Sequence, residues 1–552
     1  MCHSIGSGTQ KGRLYAVHYF PHQRDTQIRS TDNTSGRLPN GDVSLLDGQV
    51  GQVLVRWLRP LIATYIWKKS APLPPGPKPL PIVGNAFDIN IEEPWLTYTE
   101  WGKKHGGIVY SRVLGIDFII INNEKIARDL VDKRSKNYSD RPVISTNKLF
   151  GVDFNSALLP YGDKWRLHRR IFHQAFRVDT AAVYRDMHLR KVQDLLVSLL
   201  DAPEEFESHL KSFAASIIMK ATYGYDTAPR HDLFVDRVEE LINIITVYIS
   251  PERAAILGAL PFLQRTPSWV PGAGFMRTAQ RCRELAIEVK DAPFEYVRKA
   301  MAAGTAVQSM VSDSLNRIEG DVNSGEEELA LKEAAATAFI GGAETTSSVI
   351  LTFMLAMVLN PDIQKRAQAD IDTVVGQGRL PTYDDRPLLP YIEAIYRETL
   401  RWHAVTPLSL PHAVTDDDIF EGHFIPKGAI LILNVWSMTQ DESIYPNPEQ
   451  FKPERFLTVD GKPTPDWISP AFGFGRRICP GRFLAESSVW TAIVSILATF
   501  DITKTKDSEG QEVEVKPEFT TGLAIHPRPF ACSITPRSVD KDKLVRAANK
   551  ND

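Results

Sequence analysis

The chain has 552 residues and a formal net charge of −3; 43% of residues are hydrophobic and 24% charged, the balance of a globular protein with a core large enough to need no staples. So weak a net field does not recruit nucleic acid or acidic substrates. The cysteines, Cys2, Cys282, Cys479 and Cys532, are too few and scattered for a disulfide framework and form no C-x-x-C zinc pair. Cys282 and Cys532 read as small buried hydrophobes.

Residues 1–52 are polar and lack an apolar period, the composition of a disordered extension. VLVRWLRPLIATYIW (53–67) is apolar but shorter than the roughly 20 residues a membrane-spanning helix needs, and Arg56, Arg59 and Pro60 interrupt it. Residues 53–70 are thus a candidate anchor or interfacial helix, and Lys68 and Lys69 would leave the main domain in the cytosol. APLPPGPKPLPIVGN (71–85) is extended and stiff because proline fixes φ and removes donors. LGIDFIIIN (114–122) predicts a strand and EKIARDLVDKR (124–134) a helix. Helical period dominates from 163 to about 400, and short strand-like runs recur at 404–434 and near the C-terminus. The expectation is one large, mainly α domain with a small β subdomain over 71–540, followed by a charged, solvated tail at 541–552.

Two segments carry chemistry. The helix predicted over 329–360 is apolar on all faces, which marks a central, buried helix ended by Pro361. Its middle nevertheless holds Gly341, Gly342, Glu344, Thr345 and Thr346. Adjacent glycines cost about 1 kcal/mol each against alanine, and a buried glutamate is rare unless paired. Either a working site or close helix packing with a capped Glu accounts for them. The second segment is AFGFGRRICPGRFLA (471–485). Gly473 and Gly475 permit a tight loop with positive φ. Pro480 suits a first helical turn, and the helix then runs from Gly481. Cys479 would lie at its N-terminus, where the macrodipole, with Arg476 and Arg477 nearby, favours a thiolate. Such a thiolate is a nucleophile or a soft metal ligand, and no histidine base is placed locally.

Phe472-x-x-Gly475-x-Arg477-x-Cys479-x-Gly481 resembles the haem-binding loop of the cytochrome P450 family at every fixed position. Other marks stand in the family's order. ETLR (398–401) and PERF (453–456) supply Glu398, Arg401 and Arg455, which by resemblance lock the core around the haem loop. WRLHRR (165–170) puts Trp165 and Arg169 on one face of a helix, facing a haem propionate, and His412 and Arg477 stand where the family places further propionate partners. His168 and His173 read as ordinary polar residues. Gly341 and Gly342 match the family's notch for dioxygen, and Glu344 and Thr345 its acid–alcohol proton relay. The resemblance, closest to fungal microsomal members, covers roughly 71–536. It implies a b-type haem with Cys479 as axial iron ligand, monooxygenase activity and an endoplasmic reticulum membrane location with a cytosolic catalytic domain. It further implies electrons from an NADPH-dependent reductase, with cytochrome b5 as a second donor, since no dinucleotide-binding glycine pattern is present. By family position the pocket is lined by 143–159, 246–262, 338–342, 405–410 and 521–524. Their apolar character points to a lipophilic substrate: terpenoid, steroid-like or polycyclic aromatic. A haem-thiolate isomerase or dehydratase, and a non-catalytic haem sensor, are the alternatives.

Overall fold

The computed structural model describes residues 71–249, 257, 274–318, 324–465 and 469–548. Met1–Trp67 and Lys68–Asp552 are separate units, and the described residues belong to the second. The expected polar extension and membrane anchor lie outside the described residues.

The fold is mainly helical with small sheets. The proline arm docks rather than hanging free. The Tyr110 N–H donates to Pro75 O at 3.0 Å and the Phe424 N–H to Pro72 O at 2.8 Å. A Cβ on Gly76 would stand 1.9 Å from Tyr110 O, so only glycine lets the arm approach this closely. After helix α1 (Pro94–His105) the chain forms a hairpin of β1 (Ile108–Val113) and β2 (Ile116–Ile121). Its two turn residues, Leu114 and Gly115, both have positive φ (50° and 87°), the backbone that twists a tight hairpin correctly. The strand expected at 114–122 is therefore the second arm of a hairpin, and its first arm, β1, is an addition to the expected elements. The helix expected at 124–134 is α-helical over Glu124–Ala127 and widens to a π-helix over Arg128–Lys133.

The main helices come next: α2 (Asp163–Phe176), α3 (Arg185–Asp201), α4 (Phe206–Tyr223), α5 (Leu233–Tyr248), α6 (Gly274–Ala302) and α7 (Ser324–Leu359). They are succeeded by α8 (Pro361–Val374) and α9 (Pro390–Trp402). α7 passes through the middle of the hydrophobic core and packs closely against α4. Its all-round apolarity is what central burial requires. Among the described residues it is the one helix long and apolar enough to cross a membrane, and 78% of its apolar stretch is buried inside the domain. As expected, α7 ends before Pro361, whose ring instead opens α8 at a position where the missing N–H costs nothing.

Four short strands lie beyond α9: β3 (His412–Ala413), β4 (Asp418–Phe420), β5 (His423–Ile425) and β6 (Ile430–Leu433). β6 runs parallel to β2 and antiparallel to β3, giving a four-stranded sheet in the order β1-β2-β6-β3; β4 and β5 form a separate pair. The buried helix α10 (Arg482–Thr499) leads into a last pair, β7 (Phe500–Lys504) and β8 (Cys532–Pro536). The tail expected to be solvated is instead helical from Val539 to Ala548. It buries Lys541 and Val545, an amphipathic pattern hidden by its charge.

Candidate active site

The loop 472–481 reverses the chain ahead of α10. Gly473 and Gly475 have φ of 77° and 55°, and a Cβ on Gly475 would meet Val131 O at 2.4 Å. The Cys479 N–H donates to Phe472 O at 2.8 Å and closes the loop. α10 begins at Arg482 with Gly481 as its N-cap, so Pro480 precedes the helix instead of forming its first turn. Burial pushes the Cys479 thiol up. The N–H groups of Gly481 and Arg482 and the charges of Arg169 and Arg482 pull the other way. In this arrangement burial outweighs the helix terminus, contrary to the expectation that the terminus alone would favour a thiolate. The cations differ from those expected too. Arg169 donates to Ile478 O at 2.6 Å and Arg482 to Cys479 O at 3.0 Å. Arg476 instead reaches the Tyr161 hydroxyl, and Arg477 turns towards the residues between β2 and α2.

Arg477 donates to Ser139 O and Leu159 O at 2.8 and 2.9 Å, its guanidinium 4.3 Å from the Trp165 ring centre. Its Nη1 is buried without a partner. Burial holds its pKa down at about 10. Arg141, which no sequence pattern singled out, lies beside it and donates to the carbonyls of Ala157, Leu410 and Pro411. Burial and the nearby Arg477 charge push its pKa far down. His412 Nδ1 pairs with Tyr138 O at 2.6 Å, and burial with the Arg141 charge keeps its ring neutral. Among the described residues no carboxylate forms an ion pair with Arg141, Arg169 or Arg477. Buried guanidinium groups bonded only to neutral carbonyls are costly. A bound group carrying two carboxylates would relieve them, so these residues fit the propionates of a haem.

On α7, Gly341 and Thr345 are exposed although they sit midway along a core helix. They are four residues apart and share one face, which therefore borders a cavity. A Cβ on Gly341 would have nothing within 4 Å. Gly342 behaves differently from expectation: a Cβ there would stand 2.7 Å from Ile218 Cγ1 on α4, so Gly342 serves helix packing and only Gly341 faces the opening. Thr345 Oγ1 donates back to Gly341 O at 2.8 Å. The Glu344 carboxylate is partly exposed, and its charge helps raise the carboxyl of Glu239 on α5, behind the larger effect of burial.

Several expected lining segments meet. The Leu523 N–H donates to Thr246 O, and the Ile525 N–H to Val405 O. Tyr248 stacks on Phe150 with ring centres 5.5 Å apart. Residues 250–256 and 258–262 of the expected lining lie outside the described residues. An open cleft of about 460 Å³ between α3, α4 and residues 227–230 is lined by polar chains such as Lys191, Asp194 and Arg230, and touches none of the residues above.

Glu398 and Arg401 are fully buried on α9 and joined by two bonds of 2.6 and 2.8 Å. Glu398 Oε1 also takes the Lys452 N–H at 2.7 Å and lies 3.3 Å from Arg455 Nε. Arg401 reaches Thr439 O and Pro448 O. The trio ties α9 to the segment 446–456, which precedes the cysteine loop. His168 is not the ordinary polar residue expected, but a fully buried one between Ser156 and Glu333. Nothing in its local sequence could have shown this, because both partners are distant in the chain.

The Cytochrome P450 family model matches residues 74–533. The chain is 40% identical over 88% of its length to cytochrome P450 monooxygenase claR of Ampulloclitocybe clavipes, covering 90% of that protein. It is 38% identical to cytochrome P450 monooxygenase ple1 of Rhodocybe pseudopiperita, over 87% of this chain and 92% of that one. It is 37% identical to cytochrome P450 monooxygenase COX1 of Coprinopsis cinerea, over 85% and 92%. The chain belongs to the cytochrome P450 family and is an oxidoreductase of the monooxygenase type.

Proposed function

We propose that Cys479 would ligate the iron of a b-type haem, with the exposed stripe of α7 lining the same site. On this reading the chain oxidises a lipophilic substrate (terpenoid, steroid-like or polycyclic aromatic). The observation that carries it is the cluster of buried guanidinium groups without carboxylate partners, Arg141 and Arg477, beside Trp165, Arg169 and His412. Arg141, Arg169, Arg477 and His412 would hold the propionates, with Trp165 packed against the Arg477 guanidinium.

When bound through a thiolate, haem supplies dioxygen activation; one oxygen atom enters the substrate, the other leaves as water, and two electrons and two protons are consumed. This chain's residues provide the setting. Cys479 must lose a proton that burial favours keeping, so deprotonation is coupled to ligation. The N–H groups of Gly481 and Arg482 then steady the anionic sulfur, with Arg169 and Arg482 as the nearest cations. Gly341, with open space around its Cα, would leave room for dioxygen. Thr345 Oγ1 holds a proton at the cavity edge, and Glu344 restores it, an acid–alcohol relay. The electrons come from a separate NADPH-dependent flavoprotein reductase, with cytochrome b5 as a second donor. The chain is attached to the endoplasmic reticulum membrane, its catalytic domain facing the cytosol. The family match and the fungal relatives support this reading.

Cys479→Ala tests it directly. No other residue can present an anionic sulfur at that loop, so the reduced, carbon monoxide-bound protein is expected to lose the thiolate-type Soret band. A normal band in the variant would end the assignment.

A further inference from the structure

A line of polar side chains crosses the domain outside the site described above. Lys164, half exposed at the start of α2, places Nζ 2.7 Å from Glu333 Oε2 on α7. Glu333 Oε2 is also 3.3 Å from His168 Nε2, an ion-pair contact in which neither atom makes a hydrogen bond, with Glu333 7% and His168 0% exposed. Across the ring, His168 Nδ1 lies 2.7 Å from Ser156 Oγ. Ser156 Oγ is 3.3 Å from Thr337 Oγ1, which also takes the Ser156 N–H at 3.0 Å. Thr337 is partly exposed and stands one turn before Gly341 and two before Thr345.

The order of donors and acceptors gives the line a direction. In the tautomer that carries its proton on Nδ1, His168 donates to Ser156 and turns its bare Nε2 to the Glu333 carboxyl. The Ser156 hydroxyl is then free to donate to Thr337, whose own hydroxyl donates to Glu333 O at 2.9 Å. Lys164 and His168 thus converge on the Glu333 carboxylate, and from His168 Nδ1 the donors run head to tail through Ser156 to Thr337. Glu333 is held below the ordinary carboxyl range: burial raises it, but His168 and Lys164 together prevail. A tie that only fastened the loop to two helices would not need an ion pair reaching solvent.

We propose that Glu333, His168, Ser156 and Thr337 form a proton-conducting line from solvent at Lys164 to the cavity beside the Gly341–Thr345 stripe. The inference rests on the proposed monooxygenase reading, whose reaction consumes two protons inside a buried site. Glu333, taking a proton from solvent at Lys164, gives it to His168 Nε2 as Nδ1 gives one to Ser156 Oγ. Ser156 passes its own hydroxyl proton to Thr337 Oγ1, and Thr337, turned from Glu333 O, releases its own to an acceptor in the cavity. Once the imidazole has returned to its starting tautomer no charge or atom is left over. These are positioning and relay residues that do not touch the reacting atoms.

Thr337→Val and His168→Gln are the test, with Thr345→Ala alongside. Valine keeps the shape of threonine, and glutamine keeps a bond to Ser156 but cannot take a proton at one atom and release it at the other. The first readout is independent of turnover: amide hydrogen exchange over 155–159 and 333–341, with haem content from the reduced carbon monoxide spectrum, is expected to match wild type. NADPH-driven turnover with a reductase is expected to fall by at least about tenfold and to show a larger solvent deuterium isotope effect. Turnover driven by added hydrogen peroxide, which brings its own protons, is expected to stay unchanged. If both turnovers fall together while exchange at 155–159 rises, the line is a structural tie and the proposal is wrong. It is equally wrong if neither turnover moves. Thr345→Ala separates the two readings: its peroxide-to-product ratio reports on the parent relay, whatever the line variants do.

Discussion

Thr345 shows how one side chain can serve either of two ends. Its hydroxyl bonds back to Gly341 O at 2.8 Å, the usual fate of threonine inside a helix, yet it stands on the exposed stripe of a core helix. If it also passes protons at the cavity edge, Thr345→Ala uncouples the enzyme: NADPH consumption persists, product per NADPH falls and hydrogen peroxide rises. If the back-bond is its whole role, the peroxide-to-product ratio on one accepted substrate stays at the wild-type value. Glu398 belongs to a different class. Its removal strands the buried charge of Arg401 and loosens Arg455 and the Lys452 N–H. Glu398→Ala is therefore expected to cost about 3–5 kcal/mol, the penalty for breaking a buried pair from one side. The result is a low yield of haem-loaded protein with normal turnover per haem. Full haem loading with lost catalysis would contradict the structural role.

Two neighbouring glycines on α7 divide their work between a cavity and a helix contact. Gly342 lets α7 approach α4, since a Cβ there would stand 2.7 Å from Ile218 Cγ1. Gly342→Ala forces Ile218 or the helices to shift, costing about 1–3 kcal/mol against about 1 kcal/mol of recovered helix propensity. The expected net effect is a lower melting temperature. Gly341→Ala has open space and keeps the propensity gain, so its melting temperature is expected to hold or rise while the cavity narrows. Equal shifts in the two variants would refute the division. Adjacent glycines in a buried helix mark a special place in the sequence, but which one faces which neighbour depends on helix rotation.

Over the whole molecule, buried histidines are expected to lower stability towards acid. Burial holds His188 and His403 at about 3, helped by the charges of Arg185 and Arg401 respectively. An unfolded histidine titrates near 6.5. The folded pKa is depressed, so between those values the unfolded chain binds more protons than the folded one. Their contribution is complete above about pH 6.5 and is lost as pH falls, by up to about 1.4 kcal/mol per pH unit for each ring. The urea midpoint is expected to drop between pH 7 and pH 5, and His188→Gln to flatten that slope. A midpoint independent of pH over this window would show that the rings are hydrated.

What the sequence by itself determined was local or strictly spaced. The tight loop at Gly473 and Gly475, the all-round apolarity of α7 and the three-residue spacing of Glu398 and Arg401 are properties of short segments. Each imposes its own backbone or face wherever the chain goes. The proline arm was legible as stiff, but its docking on β1 through Gly76 was not, because the Tyr110 partner is distant in sequence. Only the tertiary structure brought Arg141 beside Arg477, placed Arg169 rather than Arg476 near Cys479, and set His168 between Ser156 and Glu333. These depend on charges and hydrogen bonds meeting across segments tens to hundreds of residues apart, and no local pattern of propensity or period encodes such meetings. The balance at Cys479 was decided there too: the helix terminus is written in the sequence, while the burial that outweighs it belongs to the packed domain.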